Sequence, residues 1–392
     1  MKIPRPQSPL RSTILAVGVG LNLFVAMLTV FSAYGGTFDP EERVIAAMAA
    51  MVLPLLLIAG GVLFLVNLFF DRRLVFILLA GWAVSWPSIR VFAPLNGWSR
   101  KLTPAEQKRS FTFMTYNVLH FWDYRGPDHP GVERNATLEY ILDADADIVS
   151  IQEYDNLDTG GEWKITQAQV DSLYKRYPHR YTQLNHGYAL FSKYPFEPIQ
   201  LELEKVSSNA ITGFCLNIDG HRIHLLNLHL KSIGLTPEDK ELYKEALAVP
   251  QNKGELKREI KEVKSQLLSK LAEAFRIRTI QARKVRHIVD SIGGPFIVAG
   301  DFNDIPDCYA VRTIRGKDMH DAYAEAAFGP TITYHADRFY FRIDQILYRG
   351  PFTAIHTERG DISSSDHNPL LTTFLFNKGV IPPPDGQKQS IP

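Results

Sequence analysis

The stretch VAGDFNDIPD, Val298 to Asp307, closes an apolar run that begins at Phe296. Apolar residues ending in glycine read as a buried strand that stops at a turn. Asp, Asn and Pro are ordinary turn residues, so on its own the stretch is punctuation. Side chains alternate between the two faces of a strand. A backbone extended through Asn303 therefore puts Asp301 and Asn303 on one face and Phe302 on the other. The pair then stands at the end of a buried strand, where open α/β sheets hold ligands. Asp304, Pro306 and Asp307 read as turn residues.

Working outward, other strand-like runs end or break in the same kinds of residue. Asn117 closes FTFMTYN, Glu153 closes DIVSIQE, and His229 lies near the end of RIHLLNLHL with Asn227 on its face. Asp344 interrupts FRIDQILYR, where an unpaired charge is costly. Asp366 and His367 belong to the serine-rich turn SSSDH, ahead of PLLTTFLF. Turn preference explains one such residue but not a set of amides, carboxylates and imidazoles at strand ends. The mixture suits phosphoester hydrolysis assisted by a hard divalent cation. Carboxylate and amide oxygens favour Mg²⁺ or Ca²⁺, whereas Zn²⁺ favours His and Cys clusters. An aspartate can orient or deprotonate water, and an imidazole fixed by a carboxylate can stabilise phosphoryl charge.

With TYN, IQE, NLHL, GDFND, RIDQIL and SDH in that order, the chain from Phe111 to Phe376 resembles the endonuclease/exonuclease/phosphatase superfamily, whose best-known members are deoxyribonuclease-I-like. The resemblance implies a four-layer α/β sandwich, two packed β-sheets flanked by helices, and a metal-dependent phosphoric ester hydrolase. It implies Glu153 as principal metal ligand, Asn117 beside it and Asp366 in support, for Mg²⁺ or else Mn²⁺ or Ca²⁺. Asp301 would orient or activate water, Asn303 would hold a phosphate oxygen and His229 would contact the phosphoryl group. His367 would be the second imidazole, acting as acid/base or transition-state stabiliser and oriented by Asp344. Leu119 stands where apurinic-site endonucleases of the superfamily carry an acid, and NLHL replaces their Tyr-containing segment. Both departures favour the branch with two histidines, which includes deoxyribonucleases, sphingomyelinases and polyphosphate-type phosphatases.

Composition adds a membrane. Lys plus Arg is 43 against 42 Asp plus Glu, so net charge alone points to no polyanionic partner. The charge is segregated, however. No charged residue lies between Arg11 and Asp39 or between Arg43 and Asp71, 27 positions in each gap. Each exceeds the roughly 20 apolar residues that cross a bilayer. A third segment, Arg73 to Arg90, has 16 uncharged positions with Pro87 inside. It reaches span length if Arg90 snorkels and the helix runs on to Phe92 or Leu95. The apolar length of the first segment and the presence of a second speak against a cleaved signal peptide.

The expected layout is a cytoplasmic N-terminus (1–11), a membrane region with two or three transmembrane helices (12–95), a linker (96–110), a catalytic domain (111–377) and a disordered tail (378–392). Lys2, Arg5, Arg11 and the Arg72-Arg73 pair mark the cytoplasmic flanks. Three spans put the catalytic domain outside the cytoplasm, and two would keep it inside. Trp82, Trp86 and Trp98 suit an interfacial belt.

Gln251 to Asp290 follows helical spacing and carries 11 Lys or Arg against 5 Asp or Glu. It reads as a solvated helix face, or as a basic surface for lipid headgroups or a phosphorylated substrate. Residues 233–275 look like an insertion between NLHL and GDFND. Cys215 and Cys308 read as two buried thiols. The function expected is a membrane-anchored phosphoesterase acting on a phosphorylated substrate, a membrane lipid or lipid-linked diphosphate among them. Similar superfamily members with N-terminal spans are associated with polyprenyl diphosphate removal. A membrane-tethered nuclease or a sphingomyelinase-like phosphodiesterase is the alternative. Nucleic acid is disfavoured because only Arg125, Arg134 and Arg342 lie near the motifs.

Overall fold

A computed structural model describes residues 9–97, 101–126, 129, 133–203, 210–234, 255–336 and 340–379. Lys2, Arg5, Trp98, residues 235–254 of the expected insertion and the tail from 380 lie outside the described residues. The chain divides into two compact units, Met1–Phe92 with Asp307–Tyr309 and Ala93–Pro306 with Ala310–Pro392.

The first unit is helical: Pro9–Ala33, Pro40–Met48, Leu53–Phe70 and Val75–Phe92. Three stretches are long and apolar enough to cross a membrane, Ser12–Thr37, Pro40–Phe70 and Arg72–Phe92. The third runs past Arg90 to Phe92 and keeps Pro87 inside the helix, which gives it the length that the charge spacing left in question. Polar contacts join the helices across their apolar faces. Asn67 Nδ2 donates to Asn22 Oδ1 at 2.7 Å, and Ser88 Oγ donates to Ala33 O at 2.7 Å. Small residues allow close approach, as membrane helix pairs require: a Cβ on Gly81 would lie 3.0 Å from that of Ala26.

The second unit contains two six-stranded sheets. The first has the order β11-β12-β1-β2-β4-β3 and the second β5-β6-β7-β8-β10-β9. The strands are β1 Ser110–Asn117, β2 Ile148–Gln152, β3 His179–Gln183, β4 Tyr188–Ser192, β5 Phe196–Ile199 and β6 Ile211–Ile218. They continue with β7 His221–His229, β8 Phe296–Asp301, β9 His320–Asp321, β10 Asp344–Arg349, β11 Phe352–Arg359 and β12 Leu370–Phe376. Phe111, Phe113, Ile148, Leu225, Ile297, Ile346 and Phe374 share a core formed by residues of both sheets.

The helices Ala136–Ala144 and Gln167–Arg176 bring Leu138, Ile141 and Leu173 against Met114, Tyr116 and Ile151 on the outer side of the first sheet. On the outer side of the second, one 38-residue helix, Glu255–Ile292, packs Ala282, Val285 and Val289 against Leu226, Leu228 and Val298. The result is the four-layer sandwich expected from the motifs. Helix Ala136–Ala144 starts where Asn135 caps it, its side chain accepting from Leu138 N at 2.9 Å. Cys308 is buried but Cys215 is only half-buried, and neither is in a disulfide. The reading of two buried thiols holds for one of them.

Candidate active site

Strand alternation builds the site. Along β1 the inner-facing residues run Phe111, Phe113, Thr115, Asn117, and along β7 they run Leu225, Asn227, His229. On β8, Ile297 and Ala299 lead to Asp301, and on β10, Tyr348 and Ile346 lead back to Asp344. Each strand is apolar in the middle of the sandwich and polar at one and the same end. Register then aligns the polar residues, with His229 opposite Asp301 and Asp301 opposite Asp344. Gly300 makes this register possible. Its φ is 137°, and a Cβ there would lie 2.0 Å from Leu228 O, so only glycine lets β7 and β8 approach at this point.

Glu153 enters the site by a different route. It follows Gln152, the last residue of β2, so alternation alone would aim it at the outer face. Its φ of 52° is left-handed, a conformation costly for a non-glycine residue. The turn brings its Oε1 within 3.0 Å of Asn117 Nδ2, which also donates to Asp301 Oδ2 at 3.2 Å. His229 Nε2 stands 3.6 Å from Glu153 Oε1 and 3.7 Å from Asp301 Oδ2. Asn303 also departs from the extended course expected of it, with φ 49°. Its backbone N–H donates to Asp301 Oδ1 at 2.7 Å, and its Nδ2 donates to Asp301 Oδ2 at 3.2 Å and Leu230 O at 3.0 Å.

His367 completes the group. Nδ1 pairs with Asp344 Oδ2 at 2.9 Å, and Nε2 lies 3.6 Å from Asp301 Oδ2. Asn117, Glu153, His229, Asp301, Asn303, Asp344 and His367 thus form one connected set. Asp366 stands at its margin. Its Oδ1 is buried without a hydrogen-bond partner, and its carboxylate lies within electrostatic reach of Glu153 and His367.

Burial and charge set the protonation states. Burial disfavours charge on Glu153, but His229 and Asn117 outweigh it and hold the group below its ordinary value, so it is a carboxylate at neutral pH. Burial lifts Asp301 to about 6, against the pull of His367. Burial pulls His367 down, yet Asp344 and Asp301 override it and raise the imidazole to about 10. At neutral pH the site therefore pairs an imidazolium with a carboxylate poised to accept a proton.

The donor set fits a hard cation. Glu153 Oε2 lies 3.7 Å from His120 Nε2, and Asp366 Oδ1 is buried without a hydrogen-bond partner among the described residues. Among the described residues no three His, Cys, Asp or Glu side chains converge as a metal cage. Mg²⁺ is held in this manner, by one or two carboxylates with substrate phosphate and water.

Several contributors escaped the motif reading. His120 sits beside Glu153. Thr333 Oγ1 accepts from the N–H groups of Ile343 and Asp344 at 3.0 and 3.1 Å, fixing the entry to β10. Tyr334 packs its ring 5.0 Å from that of His367. Gln152 Nε2 donates to Asn227 Oδ1 at 2.6 Å, and Asn227 Nδ2 donates to Ile151 O at 2.9 Å, joining the two sheets beneath the site. Ser365 Oγ donates to Asn117 O at 2.9 Å and was visible only as part of SSSDH.

Asp304 corrects an expectation. It is a buried ion-pair partner as well as a turn residue, taking Arg278 Nε at 3.2 Å with both side chains almost fully enclosed. Asp307, with φ 66°, keeps its turn geometry. Arg342, expected near the motifs, is buried and donates to Asp321 Oδ2 at 2.9 Å.

An ionised carboxylate with an amide partner, a second buried carboxylate and a His–Asp pair thus meet at one end of the two sheets. The Endonuclease/Exonuclease/phosphatase family model matches residues 114–367, more than half of the chain. The chain belongs to this family and is a hydrolase of phosphoric esters, and enzymes of the family are generally divalent-metal dependent. Residues 12–92 match a family described as a domain of unknown function, DUF8431.

No curated protein matches the chain. Among solved structures, an endonuclease/exonuclease/phosphatase from Beutenbergia cavernae is similar at 17% identity and TM-score 0.44, covering 69% of this chain and 72% of its own. One from Bacteroides vulgatus is similar at 19% and 0.42, covering 68% and 99%. The mannosyl-6-phosphatase of Bacteroides thetaiotaomicron is similar at 15% and 0.41, covering 68% and 100%.

Proposed function

We propose that the chain is a membrane-anchored, divalent-cation-dependent phosphoesterase that hydrolyses a phosphate ester or diphosphate, with lipid-linked phosphates among its substrates. The carrying observation is the meeting of Glu153 and Asn117 with Asp301, Asn303 and the His367–Asp344 pair at one end of the two sheets. In this reading Glu153 and Asn117 hold the cation, with Asp366 in support. Bound there, the cation supplies Lewis-acid polarisation of a phosphoryl oxygen.

The chain's own groups do the rest. His229 and Asn303 hold phosphoryl oxygens, so the reacting atoms meet in a fixed geometry. Asp301 takes a proton from water as its oxygen bonds to phosphorus. The bond from phosphorus to the leaving oxygen breaks, and that oxygen takes the proton of His367 Nε2. Asp344 keeps His367 charged and its ring oriented.

The membrane part of the reading rests on the three apolar stretches ending at Phe92. The catalytic unit begins at Ala93. Within that unit, Pro94 O accepts from Gly329 N at 2.7 Å, and Asn96 Nδ2 donates to Ala324 O and Ala327 O at 3.0 and 2.9 Å. A tether pinned so early has little free length, which favours substrates presented near a bilayer. With three spans and basic cytoplasmic flanks, the catalytic unit is extracytoplasmic. The nuclease alternative is weakened because Arg125 is taken up by Asp123 and Arg342 by Asp321.

Phosphate release by purified full-length protein on lipid diphosphates, simple phosphate esters, sphingomyelin and DNA tests the reading. Mg²⁺-dependent release from the first two classes is expected. Cleavage of DNA or sphingomyelin with no release from either would sink it. Protease treatment of intact cells tests the side of the membrane, and cleavage only after lysis would contradict the topology.

A further inference from the structure

Leu119, His120 and Phe121 have φ of 48°, 54° and 59°, three consecutive left-handed residues and none a glycine. L side chains disfavour this region, and Leu and Phe lack the local hydrogen bonding that lets Asn and Asp tolerate it. The turn is held on both sides. His120 N–H donates to Glu153 O at 2.9 Å, and Asn135 Nδ2 donates to Phe121 O at 2.7 Å.

Its effect is to line up rings beside the candidate cation ligand. His120 Nε2 is 3.7 Å from Glu153 Oε2, the Trp122 ring is 5.0 Å from that of His120, and Trp163 stacks on Trp122 at 5.8 Å and 23°. Trp122 remains 44% exposed. A strained backbone and a solvent-facing tryptophan both oppose folding stability. Found together and adjoining Glu153, they point to a ligand.

We infer that His120, Trp122 and Trp163 form a subsite for the group esterified to the scissile phosphate, and that this group presents a flat ring, a sugar or a nucleobase. The inference rests on the phosphoesterase reading above and names the class of its substrate. Tryptophan stacks on ring faces. The small pocket beside Trp163 is rimmed by Asp123, Asn135, Glu162, Lys164 and Ser364; Asn135, Ser364 and Asp123 are bonded within the fold, and Glu162 and Lys164 are the rim groups placed to meet ring hydroxyls or base edges. An alkyl chain would call for a continuous apolar groove instead. A base stacked on an aromatic side chain gains about 5- to 150-fold in affinity.

The test is calorimetric binding to the full-length protein in detergent with EDTA present, so that binding is read without turnover. The probes are glucose 6-phosphate, adenosine 5′-monophosphate, glycerol 3-phosphate and hexyl phosphate. At least one ring probe should bind about 5-fold or more tighter than the two ring-free ones. Trp122→Ala should erase that margin, and Trp122→Phe should keep most of it. A tighter sugar phosphate assigns the subsite to sugars, and a tighter nucleotide assigns it to bases. No margin for either ring probe, hexyl phosphate matching them, or a margin that survives Trp122→Ala overturns the inference. Phosphate release with Mg²⁺ restored is read separately. Intact ring binding without any turnover would refute the phosphoesterase reading and leave the subsite standing.

Discussion

Replacing Asp344 by Asn tests the acid–base assignment most directly. Asp344 Oδ2 lies 2.9 Å from His367 Nδ1, and both side chains are almost completely buried. Burial by itself would make this imidazole neutral, but Asp344 and Asp301 raise it to about 10. Asn keeps the shape and removes the nearer charge. An opposite charge at this range changes a pKa by about 1–3, which places His367 of the variant at about 7–9. At 1.36 kcal/mol per pKa unit, the protonated form loses about 1.4–4 kcal/mol.

The acid limb should move as well. Burial raises Asp301 to about 6, and Asp344 adds to that rise while His367 opposes it. Without Asp344 the Asp301 carboxyl falls, so both limbs of kcat/KM against pH shift to lower pH. The rate at the optimum should fall by about 10²- to 10⁴-fold, the usual worth of a positioned acid or base. Phosphate release followed across about pH 5–11 at saturating Mg²⁺ measures both limbs. An alkaline limb that stays in place, or a profile displaced to higher pH, would refute control of His367 by Asp344.

Three further changes follow from the geometry. Gly300→Ala would place a Cβ 2.0 Å from Leu228 O; it should cost about 3 kcal/mol or more and abolish phosphate release, and a variant with unchanged melting and activity would contradict the close approach. Arg278→Met or Asp304→Leu alone strands a buried charge and should cost about 3–5 kcal/mol in denaturant titration, with the double replacement recovering most of it. Two additive losses would show that the 3.2 Å pair is not coupled. Glu153→Gln should leave melting intact yet lower turnover by about 100-fold or more, and EDTA should reproduce the loss in the parent protein. Full turnover in either case would remove Glu153 from the metal site.

The strands that the sequence disclosed are the inner ones. The apolar runs FTFMTYN, DIVSIQE, GYALFSK, GFCLNI, RIHLLNLHL, PFIVAG, FRIDQILYR and PLLTTFLF became β1, β2, β4, β6, β7, β8, β10 and β12, each flanked on both sides by another strand. The four that went unread, β3, β5, β9 and β11, are the four sheet edges. The reason is physical: a strand covered on both faces must be apolar throughout, whereas an edge strand such as HRYTQ alternates half-buried and exposed residues. The site was legible for the related reason that a carboxylate or amide ending an apolar run is costly without a partner. The motif brought Glu153 into the candidate set even though its backbone breaks the alternation that places Asn117, His229 and Asp301. Its left-handed turn leaves no composition signal, since glutamate is not a residue that favours φ of 52°.

Asp304 shows where local reading stops. Asp followed by Ile-Pro is good turn chemistry, and no pattern within ten residues distinguishes a solvated turn from a buried ion pair. The distinction comes from Arg278, 26 positions earlier on the helix Glu255–Ile292. That arginine also donates to Lys231 O at 2.9 Å, while Gln281, one turn on, accepts from Lys231 N at 2.9 Å. Lys231 lies just past His229, the last residue of β7, and Asp304 follows Asn303. One helix therefore grips the segments that follow both His229 and Asn303. The expected insertion was bounded at residue 275, but the backbone continues as one helix through that point. What its basic composition suggested was a surface, and its next turns, from Arg278 to Val289, contribute to the core beneath the site. The spacing of Phe275, Val285 and Val289 carried that signal, and the charge count obscured it.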